Sequence, residues 1–293
     1  MGIKKWISKN SESLMGKRVA VTGSTGGLGR ELCRVLASLG AQMVLLNRSK
    51  TRTDEQIEEL KAEYPDLKAT YIPLDLSDFQ SVKSVTEQLK CMEIDVIIHN
   101  AGAYSIPRRR CVLELDNVFF INFAAPYYMT RELLPSLREC GGRVVAVGSI
   151  AHNYSRIDEN DLDFSTRGRA SLVYGNAKRH LMYSMAELFS REEVHLSVTH
   201  PGITFTNITA HYPKLIFALI KYPMKVIFMR PKKACLSIVR GVFESTDGRE
   251  WIGPRTLNVW GYPSKKSLKT ASDGEVKEIF SRAEEIYRKL KEL

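Results

Sequence analysis

No two cysteines in this 293-residue chain stand close enough in sequence to form a redox or metal pair. Cys33, Cys91, Cys111, Cys140 and Cys235 are odd in number, widely spaced and free of any C-x-x-C. That argues against a disulfide framework or a zinc ribbon and for reduced thiols in a cytoplasmic setting. The six histidines show no ligand spacing, so no metal is expected. No run approaches the ~18 apolar residues of a spanning helix. The opening MGIKKWISKNSESLMGKR lacks the apolar core of a signal peptide, and Trp6 stands where a myristoylation signal takes Ser or Thr. Acid is also scarce in places. Between Pro201 and Phe243 there are seven basic residues (Lys214, Lys221, Lys225, Arg230, Lys232, Lys233, Arg240) and no Asp or Glu.

What is present suits one folded domain with a full core: 44% apolar and 26% charged residues, with a net charge of +10 from 43 basic and 33 acidic side chains. The basic clusters, including Arg108–Arg110, lack interleaved aromatics and any nucleic-acid module, so no nucleic-acid partner is expected.

The apolar pattern alternates strand and helix. Lys17–Thr22 is a short β-branched strand running into Gly23-Ser24-Thr25-Gly26-Gly27-Leu28-Gly29, and Leu28, Leu32, Val35, Leu36 and Leu39 then recur at helical spacing. Strand, glycine turn and helix together form a phosphate-binding arrangement. Missing side chains let the backbone approach a pyrophosphate, and the helix N-terminus supplies N–H donors. A second strand, 41–47, ends at Asn47-Arg48-Ser49, where an NAD-binding unit would carry an acid. A guanidinium there suits a 2′-phosphate, so NADP(H) is preferred, with NAD(H) left open.

Further strands are expected at 68–74, 94–99, 143–147 and 195–200, with helices at about 53–63, 78–90 (opened by Ser77), 112–138 and 170–189. Asn122 and Pro126 interrupt the apolar face of the third of these helices, which points to a distorted turn. Such continuous apolar strands belong to a parallel sheet buried on both faces. Gly23, Arg48, Asp75, Asn100, Ser149 and Pro201 all fall just beyond strand C-terminal ends, the edge where open sheets bind ligands.

Within the 170–189 helix, Tyr174 and Lys178 lie one turn apart on one face. A cation beside the phenol favours its ionised form and brings its pKa, ordinarily about 10, toward the working range of proton transfer.

With TGSTGGLG (Thr22–Gly29), HNAG (His99–Gly102), Asn122, Ser149, YGNAK (Tyr174–Lys178) and HPG (His200–Gly202) in this order, residues 15–262 resemble the short-chain dehydrogenase/reductase family. The long gap from Ser149 to Tyr174, the GSIAH stretch and the added C-terminal segment resemble its retinol dehydrogenase-like branch. The resemblance implies a Rossmann-type doubly wound α/β sheet. It also implies a substrate lid at about 207–233, an extension at 1–14 and a helical tail at 263–293.

The resemblance further implies the site. Tyr174 is the general acid in reduction and the base in the reverse direction, and Lys178 lowers its pKa and holds the nicotinamide ribose. Ser149 holds the substrate oxygen, and Asn122 binds a relay water. Gly23, Gly27 and Gly29, with Ser24, Thr25 and Leu28, line the pyrophosphate. Asp75 and Leu76 meet the adenine, Asn100, Ala101 and Gly102 brace the cofactor, and Pro201, Gly202 and Thr206 stand near the nicotinamide. The chain departs from the family pattern at His99, Gly148 and Gly26, where relatives often have Asn, Ser and a basic residue. None of these removes a group the chemistry uses, though Gly26 leaves the cofactor preference resting on Arg48, with Arg30 as a second candidate.

The segment Ala210–Lys233 is apolar, broken by prolines and charged only positively, which fits a bulky hydrophobic alcohol or ketone of steroid, bile-acid or retinoid type. Its lysines suit an acidic substrate, an anionic membrane surface or plain solvent. The N-terminal Ile3, Trp6 and Ile7 suit membrane contact or packing on the domain. The tail's apolar stripe (Val276, Ile279, Phe280, Ala283, Ile286, Tyr287, Leu290) suits the domain or a second subunit of a homodimer. A non-catalytic nucleotide sensor on the same fold is the competing reading.

Overall fold

The computed structural model describes residues 2–204 and 228–293. Its centre is an eight-stranded sheet in the order β3-β2-β1-β4-β5-β6-β7-β8. The strands are β1 (Arg18–Thr22), β2 (Gln42–Asn47), β3 (Ala69–Pro73), β4 (Val96–His99), β5 (Arg143–Val147), β6 (His195–Thr199), β7 (Glu250–Thr256) and β8 (Trp260–Ser267). All pairings are parallel except β7 with β8. Val19, Val21, Ile97, Ile98, Val144 and Val145 have no exposed surface, because helices cover both faces and favour apolar side chains on both sides of these central strands. The α/β class and doubly wound parallel sheet expected from the sequence are observed.

The chain order reverses at β1. Strands β2 and β3 build outward on one side, and β4 returns to the other. Such a reversal opens a crevice at the strand C-terminal ends. Across it, Asn100 Nδ2 donates to the Thr22 and Gly23 carbonyls, both at 3.0 Å.

The helices are α1 (Ile3–Asn10), α2 (Gly27–Ser38), α3 (Lys50–Glu63), α4 (Phe79–Lys90), α5 (Ala125–Glu139), α6 (Ala170–Phe189), α7 (Leu236–Phe243) and α8 (Asp273–Lys291). Three differ from expectation. α4 is capped by Asp78, whose carboxylate accepts from Gln80 N, while Ser77 instead bonds Asp75. The stretch before α5 becomes helical at Asn117, not Val112, because Asp116 caps it there, accepting from Val118 N and Phe119 N. Around Asn122 the helix widens into a π turn, Phe120–Ala124, the distortion that its sequence signalled. Neither α7 nor the β7–β8 hairpin was anticipated, and β8 runs through the tail boundary placed at 262.

Both chain ends pack on the domain. Trp6 is buried and stacks on Tyr262 of β8. α8 buries its stripe against α6 and α5, fixed by Arg179–Glu275, Arg131–Glu284 and Tyr287–Glu132. Among the described residues no helix is long and apolar enough to cross a membrane.

Candidate active site

One cavity of about 640 Å³ runs along the strand C-terminal ends. Its first half is backbone. Gly23 has φ +68, and a Cβ on Gly29 would lie 2.4 Å from the Gly23 carbonyl oxygen. Only glycine lets the turn and the start of α2 close this tightly. Gly23, Thr25, Gly27, Leu28 and Gly29 line the cavity, so the N-terminus of α2 presents its unpaired N–H groups to it. Ser24 does not. Its fully buried hydroxyl donates to Gln56 Oε1 and accepts from Asn47 Nδ2, each at 2.8 Å, which staples the glycine turn to β2 and α3.

At the rim, Arg48 and Arg52 are exposed, line the cavity and pair with no carboxylate among the described residues. Arg52 was not singled out from the sequence; it sits in the first turn of α3, four residues after Arg48. Arg30 is tied up, 2.7 Å from Glu59. Asp75 Oδ1 accepts from Ser77 N and Oγ, and Asp75, Leu76, Asn100, Ala101 and Gly102 line the middle of the cavity. A turn that a Cβ would fill and two free guanidiniums together fit a phosphorylated dinucleotide.

The second half is made of side chains. Ser149 caps the short 3-10 turn Ile150–Tyr154, its hydroxyl accepting from Ala151 N. Tyr174 lines the same cavity, and the nearby Ser149 hydroxyl favours its ionised form. Gly175 makes this approach possible, since a Cβ there would stand 2.4 Å from the Ala151 carbonyl oxygen. Behind Ser149, His152 Nδ1 donates to the Ser149 carbonyl at 2.6 Å, and Arg179 Nη1 donates to the His152 carbonyl at 3.1 Å. Arg179 in turn grips Glu275 of α8 through two nitrogens, at 2.6 and 2.8 Å. The C-terminal helix therefore braces the turn that carries Ser149, a connection with no sequence signal because Arg179 and Glu275 are far apart in the chain.

Lys178 Nζ donates to the Val147 carbonyl at 2.8 Å and lies 5.7 Å from the Tyr174 ring centroid. Asn122 Nδ2 donates to the Ala103 and Val118 carbonyls, and Oδ1 accepts from Ala103 N. One Oδ1 lone pair is left, beside Gly102 and near Lys178. The electrostatics differ from expectation. Burial pushes Tyr174 up to about 12, against the hydrogen bond from Ser149, and pushes Lys178 down to about 7. Desolvation outweighs the charge pairing inferred from the i,i+4 spacing, since both groups sit where the neutral form is favoured.

The departures from the family pattern have structural reasons. His99 Nε2 bonds Thr130 Oγ1 in the core, and the missing Gly148 side chain leaves room for Met182. Pro201 and Gly202 line the cavity, whereas Thr206 and most of the 207–233 lid lie outside the described residues. Sequence reasoning missed further lining residues: Tyr104, Ile106, Ile121, Tyr154 and Ser171. The Tyr104 ring meets the Tyr174 ring edge-on at 5.3 Å. Ser171 alone had a visible cue, one turn before Tyr174 on the same helix.

Crevice, glycine turn and Tyr–Lys–Ser cluster define a dinucleotide-binding α/β fold, and comparison with known proteins identifies it further. A family model described as short chain dehydrogenase matches residues 17–214. The chain belongs to the short-chain dehydrogenase family. It is 30% identical over 209 residues to mouse retinol dehydrogenase 12, a match covering 69% of this chain and 66% of that protein. It is 26% identical over 273 residues to mouse polyprenol dehydrogenase, covering 89% and 80%. With the first of these relatives the match spans just under two thirds of the relative's length. Among solved structures, an uncharacterized protein from Mycobacterium paratuberculosis superposes with a TM-score of 0.74 at 22% identity, covering 94% of this chain and 95% of that one. An Agrobacterium tumefaciens 3-oxoacyl (acyl-carrier-protein) reductase with NADP bound gives 0.61 at 21% identity, covering 80% and 90%. Both likenesses show the fold.

Proposed function

We propose that the protein is an NADP(H)-dependent oxidoreductase that interconverts a hydrophobic primary or secondary alcohol and its aldehyde or ketone. The observation that carries this reading is that Ser149, Tyr174 and Lys178 share one cavity with the glycine turn and two unpaired arginines. Gly23, Gly27, Gly29 and the N-terminus of α2 would hold the pyrophosphate, Arg48 and Arg52 the 2′-phosphate, Asp75 and Leu76 the adenine, and Asn100, Pro201, Gly202 and Lys178 the nicotinamide half; Thr206 is a further candidate there. A bound nicotinamide supplies or takes up the hydride.

The protein's own groups do the rest. Ser149 and Tyr174 hydrogen-bond the substrate oxygen and orient its carbonyl. In reduction Tyr174 gives that oxygen its proton as charge develops on it. Burial raises the pKa of the phenol, which favours its keeping the proton until the substrate oxygen takes up charge. In oxidation the phenolate takes the alcohol proton. Lys178 and the free lone pair of Asn122 lie on the route by which the phenol is reprotonated. The apolar wall of Tyr104, Ile106, Ile121 and Phe228 suits a large hydrophobic molecule, in keeping with relatives named for retinol and polyprenol.

Tyr174→Phe tests the assignment. It should lower NADPH oxidation by about 10²–10⁴-fold across a panel of retinal, steroid ketones and aromatic ketones, while leaving NADPH binding close to unchanged. Unaltered turnover would reject Tyr174 as the acid. Tight NADPH binding with no turnover of any panel member by the unmodified protein would favour the sensor.

A further inference from the structure

Charge is segregated in this chain, and among the described residues the fold brings parts of the acid-free stretches together on one wall. Residues 1–11, 194–243 and 251–272 carry fourteen Lys and Arg and no Asp or Glu, which leaves 29 basic and 33 acidic residues for the remainder. Elsewhere the surface is laced with ion pairs such as Arg30–Glu59, Arg34–Glu63, Lys90–Glu132 and Arg131–Glu284. Along the three acid-free stretches, only Arg240 has a carboxylate partner among the described residues, Glu244 just beyond the stretch. Lys4, Lys5, Lys9, Lys232, Arg255 and Lys265 have none.

Three contacts join the described parts of these stretches. Trp6 of α1 stacks on Tyr262 of β8 at 6.1 Å, and Lys233 lies over the same ring at 4.8 Å. Gly202, at the cavity, packs so closely on the β7–β8 hairpin that a Cβ there would lie 2.9 Å from the Val259 carbonyl oxygen. At the tip of that hairpin Leu257 is 74% exposed and held at φ +50, a left-handed conformation unfavourable for leucine. Trp260 beside it is 38% exposed. Among the described residues none of these cations lines the cavity, whose positive side chains are Arg48, Arg52 and Lys178.

We propose that this wall docks the protein on an anionic lipid surface, with Leu257 entering the headgroup layer and the described lysines and arginines that have no carboxylate partner facing lipid phosphates. Cations near such a surface are attracted within a Debye length, and an apolar tip adds buried area. Nucleic acid would answer the charges but not the exposed leucine; a bilayer answers both. The hairpin stands beside the cavity, so an apolar substrate dissolved in the bilayer would reach the site over a short path. That last point rests on the oxidoreductase reading, whereas the wall itself does not.

Co-sedimentation of the full chain with vesicles tests the proposal. Binding is expected to phosphatidylcholine vesicles containing about one third phosphatidylserine, and not to phosphatidylcholine alone, with loss as salt shortens the screening length. The double variant Lys232→Gln/Arg255→Gln should weaken partitioning by about 25-fold, at roughly fivefold per cation. Leu257→Asp should weaken it about tenfold, and Lys61→Gln on the distant α3 should change nothing. NADPH affinity equal to that of the unmodified protein shows that each variant is folded. Equal binding to neutral and anionic vesicles, binding to neither, wall variants that match Lys61→Gln, or tighter binding to an RNA or DNA oligomer would each overturn the proposal. Vesicle binding is read without turnover, so its failure leaves the oxidoreductase reading untouched, and an inactive enzyme that still binds vesicles leaves the wall standing.

Discussion

The two halves of the cavity are built from different materials. The half under the glycine turn is backbone, shaped by what Gly23 and Gly29 lack and locked from behind by Ser24, Gln56 and Asn47. The half around Tyr174 is side chain: Ser149 on a short turn, Tyr104 edge-on to the phenol, Ile106, Ile121 and Tyr154 beyond. A backbone surface offers the same donors to any chain with the same turn, so it suits a ligand that never changes. A side-chain surface is rewritten one residue at a time, and it suits a ligand that does. Changes in the first half should therefore affect every substrate alike, and changes in the second should re-rank substrates.

Four experiments would break or sharpen that contrast. Gly29→Ala should have the largest effect, because its Cβ meets the backbone oxygen of Gly23 and nothing there can swing aside. About 1–3 kcal/mol of overpacking should appear as weaker NADPH binding, read by nucleotide fluorescence, and as an equal loss of turnover on all substrates. Uneven losses would deny the division. Arg48→Asp comes next. It replaces a charge-assisted contact of about 1.5–3 kcal/mol with repulsion, so the ratio of NADPH to NADH efficiency should fall by at least tenfold, and an unchanged ratio would place the 2′-phosphate elsewhere.

Acid is the third perturbation, and it acts on both halves. Burial pushes His99 and His200 down to about 3 and His152 and His180 down to about 4. Their folded pKa values lie below the unfolded value, so the unfolded chain binds more protons as pH falls. The stability they contribute is complete above about pH 6.5 and is lost toward pH 3–4, at up to about 1.4 kcal/mol per pH unit per group. Thermal melts from pH 7 to 4 should show a steep decline in Tm; a flat profile would mean that these rings are reached by water. Tyr104→Leu should give the smallest effect. Losing an edge-on aromatic contact of about 0.5–1.5 kcal/mol should change KM by less than about tenfold, differently for ring-bearing and linear substrates, with NADPH affinity constant.

Much of the backbone half was legible in the sequence. Strand, glycine turn and helix are local features, and the i,i+4 spacing of Tyr174 and Lys178 fixed their shared face before any fold was known. The π turn at Asn122 was legible too, as an amide out of place on an apolar face. The lining around Tyr174 was not, since Tyr104 and Ile106 lie in an irregular segment and Tyr154 in a short 3-10 turn, whose directions depend on what they pack against. Ser24 shows the same limit from the other side: it belongs to the glycine motif, yet its hydroxyl is spent on Gln56, thirty-two residues away.

By itself the sequence determined the order of strands and helices as far as β6, the glycine turn and the shared helix face of Tyr174 and Lys178, because each depends on neighbours within a few residues. Only the tertiary structure decided that Glu275 reaches Arg179 to brace Ser149, that burial raises the pKa of the Tyr174 phenol and lowers that of the Lys178 ammonium, and that the described parts of three acid-free stretches meet on one wall. Those outcomes depend on which distant segments exclude water from one another, and that is a property of packing in three dimensions.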